Sequence, residues 1–261
     1  MKIFDCFLYN GENLMLDIRL NILSGIVNKF VIVESQYDHQ GNKKKLKLNL
    51  DDYSKFKDKI SYLVIDRFPD DCKNWERENF QRNYVFNGLH EADDNDYIII
   101  SDIDEIPNLS RLGNLTEHKY SVFEQKMFYY KFNLLNKTHP HWYGSRICKK
   151  KFLKTPQWLR DQKVKIHPFW KFYKIKWNII KNGGWHFSFL MSPETIKSKL
   201  SSFAHSEYNN SKYNNLSTIK NAIDKHIDLF NRPITYEKVK FDQSFPEYIL
   251  KNKQKFIEWI L

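Results

Sequence analysis

The chain opens by alternating short apolar runs with longer amphipathic ones. Lys2–Tyr9 is mostly apolar and aromatic, the composition of a strand. Glu12–Val27 carries Leu14, Ile18 and Ile22 at helical spacing with Leu16, Leu20 and Leu23 beside them. A stripe that wide predicts a buried helix. Phe30–Val33, Tyr62–Ile65 and Tyr97–Ile100 are short, continuously apolar and rich in β-formers. They read as strands buried on both faces. Asn79–Ala92 places Phe80, Tyr84 and Leu89 on one side of a second helix. Strand, helix, strand, strand, helix, strand predicts an α/β fold, a mainly parallel sheet covered by helices. The three short strands end in Glu34, Asp66 and Asp102, at the carboxyl edge where open α/β sheets bind ligands.

Beyond about residue 108 the pattern changes. Tyr120–Leu135 and Trp142–Leu153 are aromatic and alternating, with Thr138-His139-Pro140 as the turn between them. Gly183–Leu190 is a further short strand, so this half predicts a small mixed sheet. Ser192 then caps a helix with Pro193 at its first position and Ile196, Leu200 and Phe203 on its apolar side. Ser217–Asn231 is amphipathic through Ile219, Ile223, Ile227 and Phe230. Pro246–Leu261 predicts a closing helix with Ile249, Phe256, Ile257 and Ile260 inward. No linker or repeat interrupts the chain. Residues 1–261 therefore read as one domain, with a ligand-binding half over 1–107 and a second half over 108–261.

The sharpest chemical feature is Ile100-Ser101-Asp102-Ile103-Asp104-Glu105-Ile106-Pro107. Strand alternation puts Asp102 and Asp104 on one side, where they can share a divalent cation, with Glu105 on the other. Oxygen ligands suit Mg²⁺ or Mn²⁺. A solvated strand end fits the same spacing. Asp94-Asn95-Asp96 repeats the triplet but precedes the strand and reads as a polar loop. His186, in Gly183-Gly184-Trp185-His186-Phe187-Ser188, is a candidate to complete a carboxylate metal site, against a hydrogen-bonded core histidine. Arg82 lies on the helix leading to the acidic strand and is a candidate phosphate clamp. Glu78, four residues earlier, would make an ordinary helix ion pair with it. His205 and Glu207, near a helix end, are candidates to meet a substrate hydroxyl.

Composition narrows the partners. Aromatic residues make up 16% of the chain and offer flat faces to bases and sugars. Cys6, Cys72 and Cys148 have no disulfide or zinc spacing, which predicts reduced thiols and a cytoplasmic setting. The opening residues lack the apolar core of a secretion signal, and no run of about 18 apolar residues occurs. The net charge of +11 calls for nucleic acid, an anionic membrane or anionic small substrates, or reflects a lysine-rich surface. Lys43-Lys44-Lys45 and Lys149-Lys150-Lys151 are the dense clusters in an otherwise diffuse distribution.

Phe4-Asp5-Cys6-Phe7-Leu8-Tyr9-Asn10-Gly11-Glu12, Leu16-Asp17-Ile18-Arg19-Leu20 and Phe30-Val31-Ile32-Val33-Glu34-Ser35 together resemble glycosyltransferase family 17. So do Gln81-Arg82-Asn83, Ile100–Pro107, Gly184–Ser188 and Ser202-Phe203-Ala204-His205-Ser206-Glu207, in order along the chain. The resemblance implies an inverting enzyme with a GT-A-like, Rossmann-like domain that uses a UDP-sugar and Mn²⁺ or Mg²⁺. It implies Asp102 and Asp104 as the metal and diphosphate pair, with Asp104 the direct ligand and His186 a further one. It makes Glu34, Ser35, Arg82 and Asp102 donor-site residues, and N-acetylglucosamine the default sugar. The expected acceptor is a glycan or a lipid-linked saccharide. The animal members' membrane anchor and disulfides have no counterpart here. A bacterial or viral enzyme, cytoplasmic and peripheral at an anionic membrane, is therefore the expectation. Inversion needs a carboxylate base within about 3 Å of the acceptor hydroxyl, and Glu207 and Asp161 are the candidates by position. Two other readings stay open on residues alone: a metal-dependent phosphoryl- or nucleotidyl-transfer enzyme, and a basic nucleic-acid-binding module.

Overall fold

Strand β1 (Ile3–Leu8), helix α1 (Asn13–Leu23), strand β2 (Lys29–Ser35) and strand β3 (Ile60–Ile65) begin the fold. Helix α2 (Asn74–Asn83), strand β4 (Tyr97–Ser101) and the short strand β5 (Glu105–Pro107) complete the first half. The computed structural model describes residues 1–113, 115–165, 174–202 and 206–261. Phe203 and His205, both singled out in the sequence, lie outside the described residues.

β1 pairs in parallel with β2 and β4, and β2 pairs in parallel with β3. Alternation sorts each strand onto two cores. Phe7, Phe30, Ile32, Tyr97 and Ile99 face α1. Phe4, Cys6, Val31, Val33, Ile98 and Ile100 face the layer that carries Val85, Leu89 and Leu159. β3 departs from expectation, being only half-buried over most of its length. It is the edge of the sheet, so one neighbour is missing. The Asn79–Ala92 helix also departs. α2 starts at Asn74, where the Glu76 carboxylate accepts the Lys73 N–H at 2.7 Å, and a 3-10 turn over Tyr84–Gly88 follows it.

The second half comprises strands β6 (Tyr120–Tyr129), β7 (Leu134–Asn136) and β8 (His141–Lys149), helix α3 (Pro156–Asp161), and strands β9 (Trp177–Ile180) and β10 (Gly184–Ser188). Helix α4 (Pro193–Ser202), helix α5 (Leu216–Asp224), strand β11 (Tyr236–Lys238) and helix α6 (Glu247–Lys251) end the chain. The mixed strands join the first half directly. β8 is the antiparallel neighbour of β4, and the path runs β11-β7-β6-β8-β4-β1-β2-β3. β10 lies parallel to β6 and antiparallel to β5.

The predicted Tyr120–Leu135 strand breaks in two at Tyr130, whose φ of 60° no strand can hold. α4 starts as expected, with the Ser192 hydroxyl accepting the Thr195 N–H at 3.2 Å and Ile196 and Leu200 buried. α5 is capped by Asn215 and stops at Asp224, because His226 takes a positive φ. Ile227 is consequently exposed. The closing helix is only α6 plus a 3-10 turn at Ile257–Trp259, which buries Ile249 and Phe256 and leaves Ile257 exposed.

Candidate active site

The acidic turn after β4 is built from the inside. Asp5, in the middle of apolar β1, and Arg19, on α1, form a fully buried ion pair at 2.6 Å. The remaining Arg19 nitrogen, Nη1, donates to the carbonyls of Asp102, Ile103 and Glu105 at 3.1, 3.2 and 2.8 Å. One guanidinium thus holds the backbone of the turn that presents Asp102 and Asp104. Unpaired buried carbonyls would each cost about 1–3 kcal/mol.

Beside the turn, Glu105 is fully buried. Its carboxylate accepts from both Nη atoms of Arg160, at 2.9 and 2.7 Å, and from the Trp142 indole at 2.7 Å. It also accepts the Asp102 N–H at 3.0 Å. Asp102 has both oxygens engaged, by Arg82 Nη2 at 3.1 Å and Arg160 Nη2 at 2.7 Å. Burial alone would raise the Asp102 carboxyl, but the two guanidinium groups and His186 hold it far below the usual carboxylate range.

Asp104 points to a different partner. The Phe187 N–H donates to its backbone carbonyl at 2.9 Å, tying the turn to β10. This brings His186 Nε2 to 3.5 Å from Asp104 Oδ1. Burial opposes charge on both groups, but each stabilises the other: the Asp104 carboxyl is lowered and the His186 imidazole raised. Lys199, on α4, adds positive charge and is itself raised, mainly by Asp104 and Glu12 against the cost of burial. Among the described residues the buried Nδ1 of His186 and Nε of Arg82 have no hydrogen-bond partner.

Asp102, Asp104, His186, Arg82 and Lys199 line one cleft of about 290 Å³. This is near the small end of ligand-site volumes. Its other wall comes from the end of β1 (Leu8), the chain after it (Tyr9, Asn10, Glu12) and the chain after β2 (Tyr37, Asp38, His39, Lys44), with Trp75, Glu78 and Gln81 from α2. A larger hollow, about 780 Å³ between α1, β5 and α6, collects none of the candidate catalytic, donor-site or metal-binding residues.

The remaining sequence candidates do not line the cleft. Glu34 is buried and holds the 44–48 segment, accepting from Lys44 Nζ, the Lys47 and Leu48 N–H groups and the Tyr62 hydroxyl. It thereby brings Lys44 to the wall. The buried Ser35 hydroxyl accepts the Tyr37 N–H at 3.0 Å and turns the chain so that Tyr37–His39 face the cleft. Asp161 accepts from Gln157 at 2.7 Å and lines a separate hollow with Lys163 and Lys165. Glu207 is exposed in the 3-10 turn Ser206–Tyr208 and does not line the cleft. Asp66 is exposed at the end of edge strand β3. Asp96 caps its loop, accepting from the Lys2 and Asp93 N–H groups at 2.7 and 2.9 Å. Among the residues of the site not proposed as candidates are Arg19, Trp142, Arg160 and Lys199, together with Tyr37 and His39 on the cleft wall. Arg160 stands one position before Asp161, which sequence reasoning chose instead.

Among the described residues no three His, Cys, Asp or Glu side chains are grouped to hold a metal ion by themselves. Two donors fit a cation whose shell is completed by phosphates and water, as is usual for Mg²⁺. They are Asp104 and His186, an oxygen and a nitrogen 3.5 Å apart on the same cleft. These two side chains would hold the ion, which would supply positive charge to the phosphates beside it. Asp102, with both oxygens committed to guanidinium groups, suits the task of orienting Arg82 and Arg160. The surrounding positive charge suits a bound anion such as a diphosphate.

The family model for glycosyltransferase family 17 matches residues 1–256. No curated protein matches the chain.

Proposed function

The chain belongs to glycosyltransferase family 17 and is a glycosyltransferase, and from that premise we propose that it transfers a sugar from a UDP-sugar, with inversion and the help of Mn²⁺ or Mg²⁺. The supporting observation is the Asp104–His186 pair at the carboxyl end of β4, in one cleft with Arg82 and Lys199. N-acetylglucosamine is the sugar proposed first, on the family resemblance. The acceptor class proposed is a glycan or a lipid-linked saccharide, reached with the protein peripheral at an anionic membrane.

The division of the cleft sets the roles. Leu8, at the end of β1, with Tyr9, Tyr37 and His39, which follow β1 and β2, forms the end suited to a nucleoside. Arg82 and Lys199 face the phosphates and stabilise the charge that appears as the diphosphate departs. Asp102 keeps Arg82 and Arg160 in place through its two oxygens. When bound, a divalent cation held by Asp104 and His186 would add Lewis-acid stabilisation to the same leaving group. The acceptor proton must go to a carboxylate within about 3 Å of the attacking hydroxyl.

The test is a melting screen of UDP- and GDP-sugars with and without Mn²⁺, followed by hydrolysis assays. A ligand that binds only the folded state raises Tm. The expected result is a Mn²⁺-dependent rise with a UDP-sugar, and a fall in donor hydrolysis on the order of 100-fold in Asp104→Asn. A flat screen, or full activity in that variant, would overturn the reading.

A further inference from the structure

We propose that Trp142 is the platform for the acceptor saccharide, seating one pyranose ring against its exposed indole face on the side of the cleft away from the nucleoside. The inference rests on the donor reading above and adds the place where the second substrate sits.

Trp142 is 38% exposed, yet its orientation is fixed. The indole N–H donates to buried Glu105 at 2.7 Å. Gly144 makes room for this arrangement. A Cβ there would lie 2.7 Å from Trp142 Cδ1 and 2.8 Å from Glu105 Cδ, and it would also collide with the Gln125 amide. An indole pinned at its nitrogen yet more than a third exposed is ordered before any ligand arrives, so little rotamer entropy remains to be lost on binding. Pyranose rings suit such a face. Their C–H groups cover it while their hydroxyls stay in water or meet polar side chains.

The topology places the platform where an acceptor must stand. β8 runs antiparallel to β4, with Arg146 opposite Ile100. The residues just before Arg146 therefore pass the Asp102 tip of β4. β1 and β2, which carry the nucleoside end, lie on the opposite side of β4. The Trp142 ring centre is 5.4 Å from that of His186, which lines the cleft. A donor stretched from the nucleoside end across Asp104 and His186 would present its sugar toward β8. A saccharide on the indole would meet it there.

A rival role for Trp142 is to brace Glu105, and the experiment separates the two. The probes are the methyl glycosides of glucose, galactose, mannose and N-acetylglucosamine, offered with the donor identified by the melting screen. Protein labelled with 5-fluorotryptophan is titrated with each, and the Trp142 fluorine resonance is assigned by its loss in Trp142→Phe. An accepted glycoside is expected to move that resonance. Trp142→Ala is expected to raise the acceptor KM about tenfold or more, a factor worth about 1.4 kcal/mol, with donor KM changed less than about twofold. Trp142→Phe keeps a flat face and is expected to hold acceptor KM within about threefold. The proposal is overturned if no glycoside moves the resonance, or if donor and acceptor KM rise together. It is equally overturned if both variants lose kcat alone, which is the signature of a brace. Failure of the donor reading shows separately, as a wild-type protein that binds no nucleotide sugar, and removes the premise.

Discussion

Asp228 is 5% exposed, in the turn after α5, and is ringed by donors. It accepts from Arg232 Nη2 at 2.6 Å, from the Phe230 and Arg232 N–H groups at 3.0 and 2.9 Å, and from the Tyr236 hydroxyl at 3.1 Å. Burial raises its carboxyl, but these donors outweigh that and hold it below the ordinary value. A lowered folded-state pKa contributes stability above the unfolded value, near pH 3.9, that is lost as pH falls through the folded one. Asp228→Asn should therefore cost about 2–3 kcal/mol at neutral pH. The gap in Tm between variant and wild type should be constant above about pH 5 and close below about pH 4. A gap that persists in acid would mean that the charge is not what matters. Single residues were legible where they end an apolar strand, as Asp102 and Asp104 do. Arg160 was not, because a short helix with one arginine carries no sign that its guanidinium reaches Asp102 and Glu105, more than fifty positions earlier. Glu34 marked the right strand end, but whether a carboxylate there meets substrate or its own chain depends on the 44–48 segment packed over it.

At the scale of elements, α1 does more than cover the sheet. Its Arg19 spans from β1 to the turn after β4, and the apolar stripe that predicted the helix does not reveal it. Arg19→Met strands Asp5 as a buried charge and should cost about 3–5 kcal/mol. Pairing it with Asp5→Leu replaces the ion pair by apolar side chains and should recover much of that loss. The turn carbonyls of Asp102, Ile103 and Glu105 lose the Arg19 donor in both variants. Donor hydrolysis should therefore stay about tenfold down or more even as Tm recovers. Activity that returns together with stability would sink the idea that Arg19 positions the acids. Strand positions were read well because apolar runs of this length have few other uses. Helix ends were read poorly, since α2 depends on Glu76 reaching back to the Lys73 N–H and α5 on a left-handed His226. The union of both halves into one sheet rests on the β4–β8 and β5–β10 pairings, long-range registers that no local pattern encodes.

The whole molecule carries +11, and the fold decides which part of that charge a membrane could meet while the cleft faces it. Lys149–Lys151 sits at the wrong end. Lys149 is opposite Tyr97, where β4 begins, and Lys150 is spent on the carbonyls of Leu89 and Ala92. Lys43 and Lys45 are exposed beside Lys44, which lines the cleft, and Leu46 next to them is an exposed apolar side chain. Among the described residues no helix is long and apolar enough to cross a membrane. Basic residues near an anionic bilayer contribute about 1 kcal/mol each, within a screening length that falls to about 3 Å at 1 M salt. The protein should therefore sediment with phosphatidylserine-rich vesicles at low salt and be released as salt rises toward about 1 M. Reversing Lys43 and Lys45 to Glu should weaken that binding about tenfold or more, whereas reversing exposed Lys151 alone should change it little. Equal losses from both changes would mean that the molecule is held by diffuse charge with no preferred face. The cleft would then gain no orientation toward a lipid-linked acceptor.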